Sequence, residues 1–136
     1  MPLMVLKAAY VAINGVDRSA NASKTELTVE VEEKDVTTWA SQGWKEVLGG
    51  LGSGSLANTF KNDVGAAALD SAMWALFGTV VTFEVRASNA AVGTGNPKYT
   101  GNVLIKSWTP ISGSPGDVNE ASYTWPTSGV VTRATS

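Results

Sequence analysis

Glu30 and Glu32 stand two residues apart within Glu26–Asp35, a segment holding five carboxylates and one lysine. Paired acids are what a glycoside hydrolase uses, one as general acid and the other as base or nucleophile. On a strand, residues i and i+2 lie about 6.6 Å apart at Cα and point to the same face. Both glutamates then meet the same solvent and nothing drives their pKa values apart, so catalysis is not expected there. The 136 residues include no His and no Cys. That removes Ser-His-Asp and Cys-His nucleophiles, imidazole and thiolate zinc sites, disulfides and redox motifs together, and no cofactor or metal is expected. Gly49-Gly50-Leu51-Gly52-Ser53-Gly54 lacks the Gly-Lys-Ser/Thr ending of a phosphate loop and reads as a flexible loop or hairpin tip. Among five tryptophans, Trp39, Trp44, Trp108 and Trp125 suit either a sugar-stacking platform or anchors into neighbouring subunits. The residues alone leave both open.

Composition narrows the classes. Ten basic residues against twelve acidic ones give a net charge of −2, so no global basic field would hold nucleic acid. Charged residues are 16% of the chain, where about 25% is usual. Val, Ile and Thr together number 33 against 9 Leu, a bias towards strand formers. A β-rich, weakly charged, Trp-rich chain suits a subunit of a larger assembly, or a secreted sugar-binding sandwich. The length fits one domain over residues 1–136. The run Met1-Pro2-Leu3-Met4-Val5-Leu6-Lys7 has no basic region before its short apolar stretch, so no leader is expected. No apolar stretch approaches the roughly 18 residues of a membrane span, and no membrane partner is expected.

The elements that would position these residues follow from periodicity. Residues 3–13 read as a strand stopping at Asn14-Gly15, a strong hairpin signal. Thr25–Glu32 alternates cleanly, with Leu27, Val29 and Val31 on one face and Glu26, Thr28, Glu30 and Glu32 on the other. That is a half-buried strand. A polar stretch around Trp39 leads to a short strand at Trp44–Leu48, the glycine cluster and another strand at Ser55–Phe60. Residues 35–55 are expected to be long, polar and mobile. Asp63–Phe77 predicts a helix capped by Asn62 or Asp63, with Gly78 as its left-handed end. Its stripe is Leu69, Ala72, Met73 and Leu76, widened by Trp74 and Phe77 so that little of it is solvated. Strands are expected at Thr79–Ala87 and Tyr99–Thr109, and Ala121–Trp125 and Val130–Arg133 are expected as one bent strand or a strand pair broken at Pro126. The fold class is mainly β, a sandwich or barrel of six to eight strands with one helix packed on it.

The order of these pieces resembles the tail tube, or major tail, proteins of long-tailed bacteriophages. Ile13-Asn14-Gly15-Val16-Asp17 precedes the acidic strand, and Trp44…Gly50-Leu51 runs into Phe60-Lys61-Asn62-Asp63. Ala68-Leu69-Asp70-Ser71-Ala72-Met73-Trp74 leads to Gly78-Thr79-Val80-Val81-Thr82-Phe83-Glu84-Val85. Asn96-Pro97-Lys98-Tyr99-Thr100-Gly101, Gly116-Asp117 and Ser128-Gly129-Val130-Val131-Thr132-Arg133 complete it. The resemblance spans nearly the whole chain, although each piece alone is only strand, turn or helix grammar.

The resemblance implies a non-enzymatic structural subunit of the virion, assembled in the host bacterial cytoplasm. Its partner is itself, in hexameric rings stacked into a tube whose lumen passes DNA without specific binding. Tape measure, tail terminator and distal tail proteins are the implied neighbours. A tube protein of a secretion or injection system and a carbohydrate-binding sandwich are the alternatives. Glu26, Thr28, Glu30 and Glu32 are expected to face the lumen, where a sliding polyanion favours a weakly repulsive wall. Trp39, Trp44, Gly49, Gly50, Gly52 and Gly54 are expected in loops between subunits or rings.

Overall fold

Asn14 and Gly15 adopt φ of +56° and +79°, the left-handed pair that a tight two-residue hairpin requires. They join β1 (Tyr10–Ile13) to β2 (Val16–Asp17). The computed structural model describes residues 3–65 and 68–136. Met1-Pro2 of the amino-terminal run and Ala66-Ala67 of the expected helix lie outside them. The first strand begins at Tyr10 rather than Leu3, and Leu3, Met4, Val5 and Leu6 are exposed.

Two antiparallel sheets follow. One has the order β2-β1-β5-β6-β8, with β5 at Val80–Arg86, β6 at Lys98–Leu104 and β8 at Thr132–Ala134. The other has the order β3-β4-β7, with β3 at Ala22–Asp35, β4 at Val47–Lys61 and β7 at Glu120–Pro126. Eight strands and one helix among the described residues match the expected class. The last two strands belong to different sheets, because Pro126 and Gly129 (φ +86°) turn the chain between them. Thr127 marks the crossing, bridging Val103 and donating its amide to the Gly54 carbonyl at 2.9 Å. β6 stops at Leu104, short of the expected Thr109, where the Lys106 amide turns back to the Leu104 carbonyl at 2.9 Å.

The core lies between the sheets. β5 supplies Val81, Phe83 and Val85, the face that its alternation marks, and β1 supplies Val11 and Ile13. From the other sheet come Leu56, Phe60, Tyr123 and Trp125. Trp108 stacks on Tyr123 at 4.9 Å between centroids, and Tyr123 on Trp125 at 5.4 Å. The Trp125 indole N–H donates to the Ser107 carbonyl and the Tyr123 hydroxyl to that of Thr109, which satisfies both buried polar tips. Burial pushes the Tyr123 phenol up from its ordinary pKa.

Helix α1 runs Leu69–Leu76, shorter than expected, and Ala68 stands at its N-cap without a side-chain cap. Asp63 instead accepts from the Gly65 amide in a tight local turn, so neither it nor Asn62 caps the helix. Gly78 does take a left-handed φ of +85° just past the end. Leu69 and Met73 are fully buried, while Ala72 and Leu76 are half-buried. Trp74 and Phe77 do not widen the buried stripe. Their rings lie tilted against each other at 6.0 Å between centroids and face outward, because the buried arc is only wide enough for positions 69 and 73.

Replacing Met73 by Ala is expected to cost about 2–5 kcal/mol of stability through transfer and cavity terms. Leu76→Ala, at a half-buried site, should cost roughly 1–2 kcal/mol. Denaturant midpoints check both, and equal losses would overturn the assignment of the helix face.

Candidate assembly surface

β3 and β4 form one continuous antiparallel ladder, from Ala22 opposite Phe60 to Asp35 opposite Val47. β7 pairs only with Ser55–Lys61 of β4. Beyond Ser55 the sheet therefore narrows to two strands, and Val47–Gly54 extends roughly 25 Å at the usual rise per residue. A two-stranded ribbon is marginal in water when nothing packs on it.

The glycines expected in a hairpin loop lie inside this ribbon. Gly49, Gly50, Gly52 and Gly54 are extended strand residues of β4, and none has a positive φ. Close approach of backbone is required at Gly54, whereas a Cβ on Gly49 or Gly52 would meet only ordinary contacts. A Cβ on Gly54 would stand 2.9 Å from the Thr28 carbonyl oxygen, closer than real side chains come. Gly52 and Gly54 sit opposite Val31 and Val29. The two valines thus have no side chains facing them across the pair. A bulge between Val31 and Glu33 admits one extra residue of β4.

The turn itself, residues 36–46, carries its own hydrogen bonds. The Thr37 amide donates to Asp35 Oδ1 at 2.9 Å and the Glu46 amide to Thr37 Oγ1 at 2.8 Å. Thr38 opens a short 3-10 helix, Trp39–Ser41, in a reciprocal cap with Ser41. Trp39 is wholly exposed on it, and Trp44, which precedes β4 rather than starting it, is largely exposed. The hydrogen bonds from Thr37 hold the Asp35 carboxyl below its usual pKa.

Directly opposed residues of an antiparallel pair share a face. Glu26, Thr28 and Glu30 oppose Ala57, Ser55 and Ser53, and Thr59 and Ala57 oppose Ser122 and Thr124. Together with Glu32 and with Lys24, which opposes Thr59, they make a solvent-facing surface of small polar side chains, carboxylates and lysine. Lys61 pairs with Glu120 on it and keeps that carboxyl below its ordinary range, while Glu32 lies 3.6 Å from Lys34. The opposite face does not stay buried as the alternation suggests. Leu27 is half-buried, but Val29 and Val31 are 59% and 63% exposed, because they lie past the end of the core.

A tryptophan platform is not formed. Trp108 and Trp125 are core residues, whereas Trp39 and Trp44 stand at the ribbon tip, so the four share no surface. The open sheet edges had no distinct sequence signal. Among the described residues, β3 ends one sheet with no strand on its outer side, and β7 ends it on the other. Among the described residues, no three acidic groups converge as metal ligands would, and no helix is long and apolar enough to cross a membrane.

No protein-family model and no curated protein matches the chain. Solved structures share its fold, two of them from gene transfer agents. One is a chain of the virion of a native gene transfer agent particle, with a TM-score of 0.76 and 21% identity over 97% of this chain and 99% of that one. The other is from the tail of an empty gene transfer agent particle refined helically with C6 symmetry. There the TM-score is 0.64, with 22% identity over 82% and 81% of the two chains.

Because the folded pKa of Asp35 is depressed, its contribution to the tip is present above the unfolded carboxylate pKa of about 4 and is lost as pH falls through the folded value. Hydrogen exchange at the Thr37 amide, corrected for intrinsic rate, should accelerate below that pH. Asp35→Ala should reproduce the acceleration at neutral pH. Identical protection in the variant would show that the carboxylate does not hold the turn.

Proposed function

We propose that this chain is the repeating structural subunit of a tail tube, with residues 1–136 acting as one tube domain and no catalytic role. The carrying observation is the β3–β4 ribbon, which leaves the core for roughly 25 Å with an open edge and exposed tryptophans. A lone chain gains nothing from such a ribbon, since unpaired backbone groups and exposed indoles invite uncontrolled association. A ring of copies uses each of these features. Joining the open edge of β3 to the open edge of β7 in the next copy continues the sheet around a closed barrel, which removes both edges. The likeness to chains of gene transfer agent virions and of a C6 tail supports six copies per ring.

In that arrangement the polar face of the β3-β4-β7 sheet lines the channel. Glu26, Thr28, Glu30 and Glu32 would each repeat six times around it, the three glutamates making rings of carboxylates and Thr28 a neutral polar one. Basic residues bind duplex DNA by releasing counterions, and on this face Lys34 and Lys61 are paired with Glu32 and Glu120, which leaves Lys24 against Glu26 and Glu30. Trp39 and Trp44, at the end of the ribbon, reach the adjacent ring, with Gly49, Gly50, Gly52 and Gly54 letting the ribbon strands lie close. Other tail proteins, including tape measure, terminator and distal tail components, would meet the tube within or at its ends. The location is the virion tail, built in the bacterial cytoplasm.

Purified protein viewed by negative-stain microscopy should form rings or tubes at sufficient concentration. A strict monomer at every concentration would overturn the reading. In an infectious or transducing particle, changing both Glu30 and Glu32 to Lys should leave tubes that assemble but deliver DNA more slowly. Failed assembly would place that face in an interface instead, and unchanged delivery would remove it from the channel.

A further inference from the structure

β3 and β7 both run antiparallel to β4, so they run parallel to each other. A rotation about the barrel axis keeps the axial sense of every strand. Each has one edge free of partners among the described residues. A joint between β3 of one copy and β7 of the next is therefore parallel, in a sheet that is otherwise antiparallel. The two edges also limit its register. On β3 the regular edge starts at Lys24, because Ser23 is the extra residue of a bulge between Ala22 and Lys24. On β7 it runs Glu120–Pro126, and Pro126 has no N–H to carry the ladder further. Residues side by side share a face, so Tyr123 and Trp125 join the row of Leu27 and Val29, and Glu120 joins that of Lys24.

We propose that β7 of one copy pairs in parallel with β3 of the next, with Glu120 beside Lys24, Tyr123 beside Leu27 and Trp125 beside Val29. Only steps of two residues keep the faces matched, and each other register fails. Registers further back carry β7 across the Ser23 bulge. The nearest of them also leaves the rows level around the ring, whereas a closed barrel needs staggered strands. Two residues on, Glu120 meets Glu26, and like charges side by side repel. Four on, the buried Trp125 meets the carboxylate of Glu33. Beyond that, β7 overruns Asp35, where β3 ends. In the proposed register Lys24, without an ion-pair partner among the described residues, gains one. Lys61 and Ser23 reach Glu120 through Oε2, which leaves Oε1 for a second cation. The register rests on the tube reading and specifies one contact within it.

With no cysteine in the chain, introduced pairs report the joint directly. Within one copy Thr28 and Thr124 lie two strands apart, about 10 Å or more, beyond the roughly 7 Å that a disulfide spans between Cα atoms. Thr28→Cys/Thr124→Cys should thus crosslink only between copies, giving a ladder of covalent oligomers when oxidised under assembling conditions. Glu26→Cys/Ser122→Cys should do the same, because a parallel joint keeps one offset along both strands. Thr28→Cys/Ser122→Cys and Thr28→Cys/Pro126→Cys should crosslink at least about tenfold more slowly, since a two-residue offset exceeds that reach. Faster reaction of either offset pair, or a silent Glu26/Ser122 pair beside a reactive Thr28/Thr124 pair, would overturn the proposal. So would no crosslink in preparations where microscopy shows tubes, and that result leaves the tube reading standing. Absence of tubes and crosslinks alike, in the unmodified chain and the variants, would overturn both. Lys24→Glu should leave the thermal midpoint of the free subunit unchanged and raise the concentration needed for assembly about threefold to tenfold, while Lys24→Arg assembles normally. Assembly of the Glu variant at unchanged concentration would also overturn the register.

Discussion

The backbone ladder between β3 and β4 ties the packed body to everything that projects from it. One strand, β4, serves two environments. From Leu56 to Phe60 it is held on both sides, by β3 and β7, and its inward side chains are buried among Trp125, Tyr123 and Trp108. From Val47 to Gly54 it is held by β3 alone. The anchored half supplies the register for the free half, since antiparallel pairing once begun fixes each following pair. The bulge at Val31/Glu33 is the one slip the ribbon admits, and Glu32 stays on the polar face because the extra residue belongs to β4.

Side-chain size then decides what the ribbon offers. Glycines opposite valines leave the inner face apolar and shallow, whereas Glu, Ser and Thr make the outer face wet and negative. A sheet with such faces and two open edges has surfaces of three kinds, and each suits a different contact. Open edges want backbone partners, the apolar trough wants side chains, and the acidic face suits solvent or a polyanion that must not stick. The paired Lys61 and Glu120 lie at the body end of that face, leaving Glu26 and Glu30 without an ion-pair partner among the described residues.

The tip is built on a different principle from the ribbon beneath it. Its geometry comes from short-range hydrogen bonds of Asp35, Thr37, Ser41 and Glu46, with no buried side chain. Such a turn can hold Trp39 fully exposed because its order costs the core nothing. The backbone that carries the indole is thus set by hydrogen bonds within the turn.

Local signals in the sequence determined the hairpin at Asn14-Gly15, the alternating acidic strand, the buried face of β5, the Leu69–Met73 helix face and the mainly-β class. Each depends on backbone preference or on a periodicity legible within about ten residues. The sequence also excluded His- and Cys-based chemistry outright. Tertiary structure decided the rest. Glycine runs read as loops in isolation, yet here the neighbouring strand supplies a ladder that outweighs their conformational freedom. Alternation marks which side chains share a face, but only the extent of the core decides whether that face is covered, and the core ends before Val29. Likewise no local pattern could divide the tryptophans between core and tip. That depended on which strands the chain brings together across the Leu56–Trp125 pairing, 69 residues apart in sequence.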